Sequence, residues 1–180
     1  MNRLEFINTG LAIMGLSKLQ PDKIIKTDPH LLIGKGSPNL VGKNYALLSE
    51  VDDAFREMSS EAQNQGITIK VVSSYRSFER QKSIWNRKFL RFKSLGMQDG
   101  AAIRKIIEYS TLPGTSRHHW GTDIDIIDAA PPQEGDVLLT QKFHDNGPYN
   151  SLREWMEKHA KDYGFLLPYN RDENRSGFKY

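Results

Sequence analysis

Apolar residues at Leu47, Leu48, Val51, Ala54, Phe55, Met58 and Ala62 recur at three- and four-residue intervals. That repeat lines one face of an α-helix, and Gly66 marks where it should end. The next run, Ile67 to Val72, is short and β-branched, bounded by Gly66 and by Ser73 and Ser74, and predicts a buried strand. It delivers residues 73–77 to a strand end. A charged helix carrying Gln81 and Trp85 is expected from Phe78 to about Phe92, and a second from Ala101 to Tyr109, before Leu112-Pro113-Gly114-Thr115 breaks the regularity. From Thr122 to Ile127 the pattern alternates, so a strand there puts Asp123 and Asp125 on one face and Ile124 and Ile126 on the other. Leu152, Trp155, Met156, His159 and Ala160 fit another amphipathic helix ending before Gly164, with short strands expected at Phe165–Leu167 and Gly177–Tyr180. Helices interspersed with short, unevenly spaced strands indicate an α+β fold.

Pro21, Pro29, Gly34, Gly36 and Pro38 punctuate the first 44 residues. Residues 1–44 therefore read as an irregular N-terminal arm packed on one domain over residues 45–180, since no repeat or low-complexity linker divides the chain. A length of 180 residues suits a single core. The absence of cysteine excludes disulfides, thiolate metal sites and cysteine nucleophiles. Any metal must then sit on His, Asp or Glu. No stretch approaches the ~20 apolar residues of a membrane span, and Leu11 to Leu16 is too short and too weakly flanked for a signal peptide. A net charge of +3 with dispersed basic residues gives no nucleic-acid footprint, so no nucleic-acid partner is expected.

The chemistry concentrates between Ser116 and Asp125. Zinc takes imidazole nitrogen and carboxylate oxygen from rigid positions, with one position left open for water. His118 lies just before Gly121, where a tight turn can fold the loop back, while Asp125 projects from a strand anchored by isoleucines on its other face. Loop and strand could converge on one ion. Two aspartates on a short strand equally suit a solvated edge, and adjacent histidines equally suit capping or packing.

The spacing Ser116-x-His118-x-x-Gly121-x-x-x-Asp125 resembles the signature of the D-alanyl-D-alanine carboxypeptidase (VanY-like) metallopeptidases, relatives of the vancomycin-resistance dipeptidases and of the hedgehog fold. Upstream, Ser73-Ser74-Tyr75-Arg76-Ser77 with Gln81 is similar to that family's Ser-Gly-Tyr-Arg-Ser-x-x-x-Gln segment, and downstream Tyr163-Gly164-Phe165 also recurs there. The three blocks stand in the family's order and cover residues 45 to 180. The resemblance implies a small, mainly antiparallel sheet flanked by helices. It implies His118 and Asp125 as zinc ligands, with Arg76, Gln81 and Ser116 facing the substrate and Arg76 also taking part in catalysis. The activity implied is a zinc-dependent carboxypeptidase that removes the terminal D-alanine from peptidoglycan stem peptides, in the cell envelope. An L,D-carboxypeptidase, a peptidoglycan endopeptidase or a non-catalytic peptidoglycan-binding module of the same fold are the alternatives.

Two departures from the family pattern stand out. Asp123 occupies a position where the family carries a small residue, which brings an extra carboxylate to the site or to solvent. The family's Glu-x-x-His segment, source of the general base and the third zinc ligand, is expected beyond Tyr180, and on that expectation the 180-residue form is inactive. Neither His144, in a polar loop, nor His159, on the apolar stripe of a helix, has the context of a replacement ligand. His119 is expected to pack or support rather than ligate, and Trp120 to wall the cleft or join the core.

Overall fold

The computed structural model describes residues 28–168. They form an α+β fold in which a two-stranded antiparallel sheet is set among helices. A short helix α1 (Pro29–Leu32) opens the described chain, with Asp28 accepting a hydrogen bond from the His30 amide at its start. Then follow α2 (Ser49–Asn64), β1 (Ile69–Ser73), α3 (Phe78–Ser94), α4 (Asp99–Ile107), a 3-10 turn (Arg117–Trp120), β2 (Asp125–Asp128), a second 3-10 turn (Thr140–Phe143), α5 (Asn150–His159) and a last 3-10 turn (Ala160–Tyr163).

Helical periodicity dictates the core. Phe55, Met58 and Ala62 of α2 pack with Leu152, Trp155 and Met156 of α5, joined by Leu47, Ile67 and Ala160. Ile69, Val71, Ile124 and Ile126 cover this cluster from the sheet side. The isoleucines thus face the core, and Asp123 and Asp125 project the other way, as the alternation requires. Asp52 brings a charge into this interior: it is 3 % exposed, and accepts from Tyr45 Oη at 2.5 Å and from Arg56 at 3.1 Å. Trp155 directs its indole N–H to Gln65 at 3.1 Å.

Two expectations need correction. Strand pairing begins at Asp125 and runs to Asp128, later than the alternating pattern from Thr122 suggests. Phe165–Leu167 is not a strand. The Phe165 amide instead bonds to the Ala160 carbonyl at 2.9 Å, closing the preceding turn while its ring packs on the core. Leu166 and Leu167 remain exposed. Burial of a single ring meets the apolar demand that the sequence pattern attributes to a strand. The strand expected at Gly177–Tyr180 lies outside the described residues.

Candidate active site

Four stretches converge beside the sheet: the end of β1, the connector into α3, the 3-10 turn Arg117–Trp120 and the start of β2. The β1–β2 register places Val71 opposite Ile126 and Ser73 opposite Asp125, leaving Val72 as a bulge. An extra residue re-aims a strand end, and here it sets Ser73 beside Asp125. The connector 74–77 has no regular structure, so its backbone groups find partners elsewhere. Tyr75 N–H donates to the Ala46 carbonyl at 3.1 Å, and Arg76 N–H to the His118 carbonyl at 3.0 Å. Ser77 caps α3 by accepting from the Arg80 amide at 3.2 Å. At Gly121 the backbone is left-handed (φ 71°) and a Cβ would collide with Leu40. Its carbonyl accepts from Leu48 N–H at 3.0 Å, which ties the histidine turn to the start of α2.

Arg76 is the hub. Its Nε donates to Ser73 Oγ at 2.9 Å, Nη1 to Gln81 Oε1 at 3.3 Å, and Nη2 to Asp125 Oδ2 at 3.0 Å. Nη2 also lies 3.0 Å from His118 Nε2. His118 Nδ1 sits 3.2 Å from the Asp123 carbonyl, which can only accept. A proton on Nδ1 meets that carbonyl. His118 Nε2 and Asp125 Oδ2 are 3.3 Å apart. Burial pushes the Asp125 carboxyl up. The hydrogen bond and charge that His118 contributes when protonated, with the Arg76 and Arg117 guanidiniums, outweigh this and hold it below the usual carboxylate value. Asp123 turns its carboxylate to Arg117 Nε at 3.3 Å, and its other oxygen lies 3.7 Å from His118 Nε2.

The surrounding shell is polar and buried. Gln81 has no exposed surface, and its amide N–H donates to the Thr111 carbonyl at 2.8 Å, which also accepts from Trp85 Nε1 at 2.9 Å. Ser116 is buried at the head of the 3-10 turn, where its carbonyl accepts from His119 N–H at 3.1 Å. His119 is 1 % exposed, with Nδ1 2.5 Å from the Arg76 carbonyl and Nε2 accepting from Gly114 N–H at 3.0 Å. Burial lowers its pKa most; the bond to Arg76 opposes this, and repulsion from His118 and Arg76 adds to it. Trp120 is 38 % exposed and donates to the Leu32 carbonyl at 3.1 Å, so it fastens the N-terminal arm. His159 stacks on Trp155, ring centroids 4.9 Å apart.

The structure thus brings Arg76, Gln81, His118 and Asp125 into one hydrogen-bonded set, with Ser116 in the adjoining turn. Sequence reasoning passed over Ser73, whose hydroxyl is visible only once the bulge turns it to Arg76. It also passed over Thr111, which acts through a backbone carbonyl that any residue would supply. A test of fit to zinc rests on the donor pair. One imidazole nitrogen and one carboxylate oxygen lie 3.3 Å apart, and both already face a cation, the Arg76 guanidinium. The pair suits a divalent ion chemically. Among the described residues, no group of three His, Cys, Asp or Glu side chains has the arrangement of a metal site.

Comparison with known proteins places this geometry in context. A family model described as VanY, D-alanyl-D-alanine carboxypeptidase, matches residues 44–180. A D-alanyl-D-alanine carboxypeptidase of Enterococcus faecalis is 25% identical over 118 residues, covering 66% of this chain and 39% of that protein. Among solved structures, a vancomycin-resistance D,D-pentapeptidase, VanY, in complex with Zn(II) shares the fold with a TM-score of 0.61 at 22% identity, over 78% of this chain and 73% of that one. The LD-carboxypeptidase LdcB matches with a TM-score of 0.54 at 26% identity, over 80% of this chain and 61% of that one. The chain spans between 39% and 58% of the length of the curated relatives it matches.

Proposed function

The chain belongs to the D-alanyl-D-alanine carboxypeptidase (VanY) family, and on that premise we propose that it is a zinc-dependent carboxypeptidase acting on peptidoglycan stem peptides in the cell envelope, with terminal D-alanine as the product. The observation that supports this most is the Arg76 guanidinium, held 3.0 Å from both His118 Nε2 and Asp125 Oδ2. It joins a carboxylate-binding cation to a metal-type donor pair.

In this reading His118 and Asp125 hold the ion. When bound, zinc would supply Lewis-acid polarisation and a water ionised near neutral pH. Arg76 meets either the substrate's terminal carboxylate or the oxyanion formed at the scissile carbonyl, since charge-assisted hydrogen bonds from a fixed guanidinium stabilise both. Ser73 and Gln81 fix its plane by accepting from Nε and Nη1. Ser116 is assigned to the substrate side of the same turn. A zinc site with an open position takes three protein ligands. The proposal therefore requires a further ligand and a general base from outside residues 28–168. The second reading, an L,D-carboxypeptidase, draws on the likeness to LdcB.

The deciding experiment incubates the full-length protein with zinc and two defined muropeptides, a pentapeptide ending in D-Ala-D-Ala and a tetrapeptide ending in an L,D bond. Release of D-alanine from the pentapeptide alone supports the first reading, and release from the tetrapeptide alone supports the second. Hydrolysis of neither, or full zinc content retained in both His118→Ala and Asp125→Ala, refutes the zinc-peptidase assignment.

A further inference from the structure

Arg76 can act as proposed only if its side chain starts from a fixed point. Its main chain lies in the connector 74–77, outside any strand ladder or helix. Both of its backbone polar groups are nonetheless satisfied, and both by the same turn. Arg76 N–H donates to the His118 carbonyl at 3.0 Å, and the Arg76 carbonyl lies 2.5 Å from His119 Nδ1. A carbonyl cannot donate, so Nδ1 carries the proton. The other ring nitrogen must then be the acceptor, and it accepts from Gly114 N–H at 3.0 Å. The two bonds fix the tautomer and the ring plane together. Gly34 completes the seat. It is buried with φ 76°, and a Cβ placed on it would overlap the imidazole.

We propose that His119 is a positioning residue for Arg76: its buried imidazole clamps the Arg76 carbonyl, so that one 3-10 turn sets the root of the guanidinium as well as the His118 imidazole beside it. This inference rests on the proposed role of Arg76 and adds a residue to it. Arg76 and His118 meet at 3.0 Å through their side chains and at 3.0 Å through their backbones. Without the His119 bond, this loop of contacts is closed at only one of the two Arg76 backbone groups.

The chemistry of the imidazole offers a discriminating pair of variants. The Asn amide N–H takes the place of Nδ1, so His119→Asn keeps the donor to Arg76 and gives up the acceptor for Gly114. His119→Gln places its amide near Nε2, keeping the Gly114 contact and giving up the clamp. The readout is the Arg76 Nε–H resonance in the 15N NMR spectrum, assigned by its loss in Arg76→Lys, because that proton donates to Ser73 Oγ at 2.9 Å. Its solvent exchange should stay within about 5-fold of the parent in His119→Asn, the scale of one neutral hydrogen bond. In His119→Gln it should rise about 10-fold or more. Pentapeptide turnover should follow, with kcat/KM falling about 100-fold in His119→Gln for a displaced group. Equal behaviour of the two variants, in either direction, overturns the proposal. Should His119→Gln not fold, His119→Asn decides alone: because it keeps the donor to the Arg76 carbonyl, a rise of about 10-fold or more in its exchange overturns the proposal. If Arg76→Lys turns over peptide like the parent, the role of Arg76 fails, while the exchange data still judge the clamp.

Discussion

The α2–α5 core and the polar shell around Arg76 are both buried, but they are held by opposite means. In the core, Phe55, Met58, Ala62, Leu152, Trp155 and Met156 pack through non-directional contacts. Apolar side chains of similar volume can replace one another there at modest cost. In the cluster, Gln81, Ser116, His118 and His119 are as buried as the core residues. There each neighbouring donor must meet a particular acceptor, and removing one partner strands the other. The core therefore determines whether the chain folds, and the cluster determines where a few atoms lie once it has.

Asp125→Ala should test that division most severely. It should abolish stoichiometric zinc and lower turnover by ~1000-fold or more, about 4 kcal/mol, while thermal unfolding moves by only a few degrees because the lost carboxylate is partly solvated. Metal analysis with calorimetry checks both halves, and a folding defect as large as that of a core truncation would erase the contrast. Leu152→Ala is the reciprocal case. It should cost about 2–5 kcal/mol in denaturant unfolding and leave zinc stoichiometry intact in the folded fraction. A third comparison keeps volume nearly constant on each side. Gln81→Leu takes the acceptor from Arg76 Nη1 and one of two donors from the Thr111 carbonyl and should cost about 1–3 kcal/mol, whereas Met58→Leu should cost less than about 1.5 kcal/mol. Equal costs would mean that directionality is not what separates the regions.

The smallest effect belongs to the core's own polar pair. Burial first, then the hydrogen bond to Asp52, raises the Tyr45 phenol from 10.0 to about 12. A folded-state pKa above the unfolded one gives stability that is complete below about pH 10 and lost as pH climbs toward about 12. Tyr45→Phe should cost about 1 kcal/mol at neutral pH and flatten the stability profile between pH 10 and 12. Denaturant midpoints across that range measure it, and an unaltered profile would remove Tyr45 as its source.

Much of the core was legible in the sequence because period alone specifies it. The apolar repeat of α2 and α5 survives into the structure, as do the inward isoleucines at 124 and 126. What period cannot give is register, since pairing depends on the partner strand. The bulge at Val72 and the late start of β2 at Asp125 belong to that class. Phe165–Leu167 misled for the related reason that apolar character does not say whether a ladder partner exists. At the site, residue identities and spacing pointed to His118, Asp125, Arg76 and Gln81 once the family resemblance had been recognised. The backbone carbonyls of Thr111, Arg76 and His118, which hold the arrangement together, leave no trace in residue type.

Gly34 bears on where this domain can be cut. Sequence similarity to the family begins at residue 44, so a fragment designed on it would omit residues 29–36. Those residues supply the bare α-carbon against which the His119 ring lies, the carbonyl that receives the Phe78 amide at 2.7 Å, and the carbonyl that receives the Trp120 indole. Such a fragment would retain every proposed ligand and substrate-facing residue within the described chain, yet leave the imidazole beneath Arg76 open to water on one side. The contacts that seat the site thus extend upstream of the stretch that the family model matches.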